Sequence, residues 1–183
     1  AVEAARRRRE PVLAAVTVPI AVELDVAAAV FAARTAGDRY FAFEQPDRDG
    51  FALAGLGCAA ALESRGAQRF GDVAARARRL GRGAFADDPA GDPDRPAAAG
   101  PVFVGGFAFD HDGGAAPEWS SLPPASLVLP EVSLARHRGE ARMTVSVVAQ
   151  GDASPAALVE RALGRVESLE AASMPLIDPD PAQ

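Results

Sequence analysis

Apolar and polar positions change period several times along this chain, and each change marks an element. Val12 to Ile20 is rich in β-branched residues and reads as a strand. Asp25 can cap a short helix running to about Arg34, because Val26, Ala29, Val30 and Ala33 fall on one helical face, and Gly37 would end it. From Arg39 to Glu44 the period drops to two, with Tyr40, Ala42 and Glu44 on one side and Phe41 and Phe43 on the other. Pro46-Asp47-Arg48-Asp49-Gly50 is turn chemistry: proline presets φ, aspartates bond nearby amides, and glycine tolerates φ above zero. A second strand at Phe51 to Leu56 completes an antiparallel hairpin.

Helical spacing returns between Gly71 and Gly81. Val73, Ala77 and Leu80 form a narrow apolar stripe with Arg76, Arg78, Arg79 and Arg82 around it, which predicts a surface helix laid over a sheet. Asp87 to Gly100 has no period and is expected to be a mobile loop. Strand character resumes at Pro101 to Phe109, around Gly105-Gly106.

Val132 to Ala149 reads as a hairpin with a Gly139-Glu140 turn, which sets Arg138 opposite Ala141. Val132, Leu134, Met143, Val145 and Val147 then share a core face. Ser133, Ala135, His137, Arg142, Thr144 and Ser146 share a wet one. Ser154-Pro155 opens a last helix whose buried stripe is Leu158, Val159, Ala162, Leu163, Val166 and Leu169.

These elements predict an α+β domain over residues 11–172, with a largely antiparallel β-sheet and helices packed on one face. Residues 1–10 read as a basic, solvated N-terminus. Residues 173–183, patternless and rich in proline, read as a disordered tail or a linker to a further, catalytic part.

Composition narrows the function. A chain of 183 residues that is 49% apolar can bury one sizeable core. No apolar run approaches the roughly 18 residues that span a bilayer. Arg6 to Arg9 followed by Val12 to Ile20 imitates a secretory leader, but Thr17 and Pro19 interrupt it and no small-residue cleavage site follows, so a cytoplasmic location is expected. All 19 basic residues are arginine. No lysine base, Schiff base or phosphate-loop lysine can therefore come from this chain. The net charge of −6 argues against a nucleic-acid surface. The lone cysteine, Cys58, precludes an internal disulfide and reads as a small buried hydrophobe.

Candidate chemistry is sparse. Asp110-His111-Asp112 offers two carboxylates and an imidazole, but real metal sites draw ligands from separated segments, so a polar turn is the reading. His137 falls on the wet face opposite Arg142. Ser120, Ser121 and Ser126 lack the glycines of a nucleophile elbow. Gly55-Leu56-Gly57 and Gly105-Gly106 complete no phosphate fingerprint and mark bulges or close backbone approach. Trp119 reads as a packing anchor for a loop. No catalytic, cofactor-binding or metal residue is assigned to the chain.

Several segments in order resemble isochorismate synthase, of the chorismate-utilising enzyme family. They are Arg39-Tyr40-Phe41-Ala42-Phe43-Glu44-Gln45-Pro46-Asp47, Phe51-Ala52-Leu53-Ala54-Gly55-Leu56-Gly57, Arg69-Phe70, Gly105 to Asp110, Trp119 and Leu127-Val128-Leu129-Pro130. The resemblance runs from about Pro11 to Ala149, and it implies the N-terminal portion of that fold. Relatives such as anthranilate synthase component I and aminodeoxychorismate synthase place a Leu-Glu-Ser motif, which helps bind a regulatory tryptophan, where this chain has Phe43-Glu44-Gln45. Leu62-Glu63-Ser64 spells the motif after the following strand, which is the wrong position.

The resemblance further implies a lysine base that activates water, a glutamic acid that assists the leaving hydroxyl, and Mg2+ held by glutamates. All of these belong to Lys-Val-Val-Leu-Ala-Arg and Gly-Thr-Pro-Glu segments missing here. The expected partner is therefore the C-terminal catalytic part of the same enzyme, with chorismate as the full-length protein's substrate and menaquinone or siderophore supply as its setting. Neither nucleic acid nor membrane is expected as a partner. The alternatives are a stand-alone binding or interaction module derived from the same fold, or another chorismate-utilising enzyme.

Overall fold

Two β-hairpins joined at their turns form the centre of the larger sheet. The computed structural model describes residues 1–87, 96–113 and 117–170. In chain order the elements are α1 (Val2–Arg8), β1 (Val12–Pro19), α2 (Val26–Ala33), β2 (Tyr40–Gln45), β3 (Phe51–Leu56), β4 (Ala60–Ser64) and α3 (Arg69–Arg82). There follow β5 (Phe85–Asp87), β6 (Val104–Phe107), a 3-10 turn (Pro117–Trp119), β7 (Ala125–Leu129), β8 (Val132–His137), β9 (Glu140–Ala149) and α4 (Pro155–Glu170). A six-stranded sheet has the order β2-β3-β8-β9-β1-β5, and a three-stranded sheet the order β4-β7-β6. Every pairing is antiparallel except β1 with β5, so the fold is α+β and largely antiparallel, as the sequence implied.

The β2–β3 turn is the five-residue loop read from Pro46 to Gly50, closed by Asp49 and Gly50 at positive φ. The β8–β9 turn lies one residue earlier than expected. His137 pairs with Glu140, and Arg138 and Gly139 both take positive φ, at 53° and 77°. That is the mirror-image turn whose twist suits a hairpin. Displacing the turn by one residue moves the pairing by two, so the face each side chain occupies is unchanged. Arg138 also joins the two turns, donating its amide to Asp49 O at 2.9 Å and its Nε to Asp49 Oδ2 at 3.1 Å.

One face of the large sheet is covered by α2 and α4. Val26, Ala29, Val30 and Ala33 meet Ala52, Ala54, Leu56, Val132 and Leu134 in the main core, which also takes Leu169. Asp25 caps α2 as read, accepting from the Ala28 amide at 2.9 Å. α3 instead lies on the small sheet, where Val73 packs with Leu62 and Ala125.

The face expected to be wet is not. Ser133, Ala135, Thr144 and Ser146 are all buried, because residues 96–104 run across them. Their small side chains let backbone approach closely. Thr144 Oγ1 meets the polar requirement by accepting from Gly100 N at 2.9 Å and pairing with Thr17 Oγ1 at 3.0 Å.

Three further expectations change. Residues 2–8, read as a solvated start, form a helix whose Ala4 and Ala5 are buried against Val12, while Arg6 to Arg9 stay exposed. The α4 stripe is only partly used: Leu169 is buried, but Val159 and Leu163 are 57% and 56% exposed. That helix meets the sheet over a narrower arc than its apolar stripe spans. β4 was not anticipated. The loop read from Asp87 to Gly100 falls largely outside the described residues at 88–95, and the tail read at 173–183 lies outside them altogether.

α4 is fastened by charge. Arg165 donates Nε to Glu131 Oε2 at 2.7 Å and Nη1 to Asp38 Oδ2 at 3.0 Å, and the two carboxylates are only 12% and 8% exposed. The hydrogen bonds from Arg165 hold the Asp38 carboxyl far below its ordinary range, against the opposing effect of burial. Arg165→Met should cost about 2–4 kcal/mol in urea unfolding, because it leaves the largely buried Asp38 carboxylate without its counter-charge and Glu131 with only the exposed Arg161 at 3.5 Å. A loss no larger than that of an exposed arginine would refute the assignment. The Asp38 contribution is fully present above the ordinary aspartate pKa of about 3.9 and fades as pH falls below it. Unfolding titrations from pH 5 down to 2 should therefore show the gap between wild type and Asp38→Asn narrowing without closing, because the folded carboxyl still titrates below that window.

Candidate functional site

The main cleft, about 810 Å3, opens beside the small sheet. Its walls come from the end of β6 and the following turn (Phe107, Phe109, Asp110), from Trp119 and Leu122, and from the Arg39–Glu63 pair at 3.7 Å. The lining is aromatic and largely apolar. Phe109 is fully exposed, and Phe107, Trp119 and Leu122 are about half exposed. Trp119, read as a loop anchor, thus faces the cleft instead.

Arg69, in the first turn of α3, fixes the back of this wall. It is 5% exposed and donates Nη2 to Ala108 O at 3.0 Å and to Phe109 O at 3.3 Å, and Nη1 to Gly66 O at 3.3 Å. Its guanidinium also lies 4.3 Å from the Phe70 ring, which stacks on Phe107 at 4.7 Å. The Nε is buried with no hydrogen-bond partner among the described residues. Gly105 lies so close to the Ser126 backbone that a Cβ there would overlap it, so the glycine reading as close approach holds.

A second cleft of about 600 Å3 lies between the sheets, lined by Tyr40, Phe41, Phe43, Phe103, Val104 and Pro130 among others. It too is apolar. Among the described residues neither cleft is lined by a histidine or cysteine, so no imidazole- or thiol-based nucleophile pair faces either of them.

The sequence-level candidates are dispersed. His111 lies 2.9 Å from Asp112 and 3.6 Å from Asp110, and all three are exposed. The Asp112 amide bonds Asp110 Oδ1 at 2.9 Å and the Gly113 amide bonds Asp110 O at 3.3 Å, which is turn geometry. Three ligand atoms on consecutive exposed residues, already bonded to one another, do not fit the octahedral oxygen cage that Mg2+ requires.

His137 is opposite Glu140, not Arg142, and its side chain is 19% exposed, set edge-on to Phe51 and 3.9 Å from Asp49. Cys58 is exposed rather than buried, since the chain leaves the β3 core at Gly57 and only re-enters the small sheet at β4. Partial burial of the sulfur still pushes its thiol up, Arg39 opposing and Glu131 and Glu63 assisting. Glu44 is exposed on β2, while Leu62 of Leu62-Glu63-Ser64 is buried in β4 and Glu63 lines the main cleft.

Sequence reasoning missed Arg165, and met Arg39 only in a strand pattern and the family resemblance and Arg69 only in the resemblance. No short-range signal distinguishes these arginines from the sixteen others, because their tertiary partners are 24 to 127 residues away.

The chain belongs to the chorismate binding enzyme family, whose model matches residues 1–182. Among solved structures the chain is similar to MenF, the menaquinone-specific isochorismate synthase from Escherichia coli, at 15% identity and a TM-score of 0.49. That match covers 92% of this chain and 30% of the MenF chain, so the sequence spans less than a third of that enzyme's length. No curated protein sequence matches.

Because its thiol is exposed yet raised, Cys58 should be alkylated by iodoacetamide in the folded protein, with a pH midpoint above the ordinary thiol value of about 8.5. A midpoint below that value would contradict the environment described.

Proposed function

We propose that this chain is the N-terminal scaffold portion of an isochorismate synthase, the enzyme that converts chorismate to isochorismate for menaquinone or siderophore supply. The observation that carries the reading is chemical: the chain belongs to the chorismate binding enzymes, yet all of its basic residues are arginine. The water-activating lysine, the glutamic acid and the Mg2+ ligands then come from a C-terminal catalytic part. An arginine cannot substitute as base, because its pKa exceeds about 12.

On this reading the chain supplies a wall. Val132 and Leu134 of the large sheet are buried and Met143, Val145 and Val147 half-buried, while Val16 and Phe85 on its β1–β5 side are about half exposed. Open apolar surface also lies around the main cleft, at Phe107, Phe109, Trp119 and Leu122, and that is where the catalytic part would seat. No helix among the described residues is long and apolar enough to cross a membrane.

Incubation of this chain alone with chorismate and Mg2+ should yield no isochorismate above the uncatalysed background, by chromatography or by a coupled assay. Conversion that persists in a repurified sample and is lost on heat denaturation would overturn the proposal.

A further inference from the structure

The basic residues are not spread evenly over this acidic chain. Residues 1–10 and 69–83 hold nine arginines against Glu3, Glu10 and Asp72, a net of +6, which leaves −12 for the remainder of a chain whose total is −6. The fold brings the two segments together. Arg8 Nη1 donates to Gly83 O at 3.1 Å, which ties the C-terminal end of α1 to that of α3. Eight of the nine guanidinia are exposed, Arg69 alone being buried.

Arg76, Arg79 and Arg82 follow one another along α3 at intervals of three and, with Ser64 and Asp72, line a groove of about 770 Å3. Like charges three and four residues apart on a helix repel. Compensation is partial: Arg76 Nη1 donates to Glu63 O at 2.9 Å, Glu10 stands 3.9 Å from Arg79, and the Asp72 carboxylate accepts from the Ser64 hydroxyl at 2.9 Å.

We propose that this groove and the arginines flanking it are a docking surface for an acidic polypeptide segment. Residues 72 to 82 of the helix span about 15 Å, the length of four or five extended residues, so a run of Asp and Glu can lay successive carboxylates beside Arg76, Arg79 and Arg82. The site is concave, which favours a single strand over a flat surface. A lipid bilayer is the poorer occupant, since α1 buries its apolar Ala4 and Ala5 and offers nothing to insert. Nucleic acid is the competing polyanion, repelled by the −12 elsewhere as any acidic partner is, and the experiment below separates the two. The surface is independent of the aromatic cleft and of the scaffold reading.

The test is fluorescence anisotropy of a fluorescein-labelled deca-glutamate peptide with the whole chain at low and moderate salt. Wild type should bind, and added salt should weaken binding as the Debye length shortens. Arg79→Gln/Arg82→Gln should lower affinity by about fivefold or more. Arg34→Gln/Arg48→Gln removes the same net charge elsewhere and should change it by less than about twofold, and circular dichroism of both variants should match wild type. The proposal is overturned if wild type does not bind, or if both double variants weaken binding equally. Tighter binding of a 20-base-pair duplex or of phosphatidylglycerol vesicles than of the peptide would likewise overturn it.

Discussion

A single guanidinium, that of Arg165, holds the layers of this molecule in register. It reaches from α4 to Asp38, in the connection between α2 and β2, and to Glu131, where the chain leaves the small sheet for the large one. Glu131 is itself tied by backbone bonds on both sides, its amide to Leu56 O at 3.0 Å and its carbonyl to the Ser146 amide at 2.8 Å. Gly57 stands against it with φ at +77°, and a Cβ there would occupy the space the Glu131 side chain fills. Burying such a cluster contributes little net stability compared with an apolar substitute, but losing one member strands the others. Its role is therefore to specify which helix lies where.

The rest of the architecture follows from small side chains. The main core is built from Ala, Val and Leu, and no aromatic side chain is fully buried in it. Alanine and serine on the strands let α2 approach one face closely and let bare backbone from residues 96–104 cover the other. Phe41, Phe51 and Phe103 pack half-buried against the smaller clusters, whereas Phe107, Phe109 and Trp119 stand at the periphery around the main cleft. Apolar groups of that size left at the surface are available to a neighbour, and the scaffold reading rests on that.

Charge is distributed with the same division. The carboxylates dominate most of the surface, while the arginines of α1 and α3 gather on one side through a contact, Arg8 to Gly83, between segments 75 residues apart. The chain's overall charge conceals this, because a sum over residues carries no information about their neighbours in space.

Local chemistry written into consecutive residues was legible from the sequence. Asp25 with its four apolar partners defined α2, Pro46 to Gly50 defined the first hairpin, and the alternation from Val132 to Ala149 assigned every side chain to the correct face even with the turn misplaced by one residue. The absence of lysine likewise limits the chemistry without any structure. Tertiary packing decided the remainder: that the polar face of β8 and β9 is buried, that Cys58 is exposed, that Val159 and Leu163 face outward, and that Arg69 and Arg165 are structural while Arg79 and Arg82 stay on the surface. Periodicity records the forces between residues a few positions apart, whereas these outcomes depend on which distant segment arrives to cover a face or neutralise a charge.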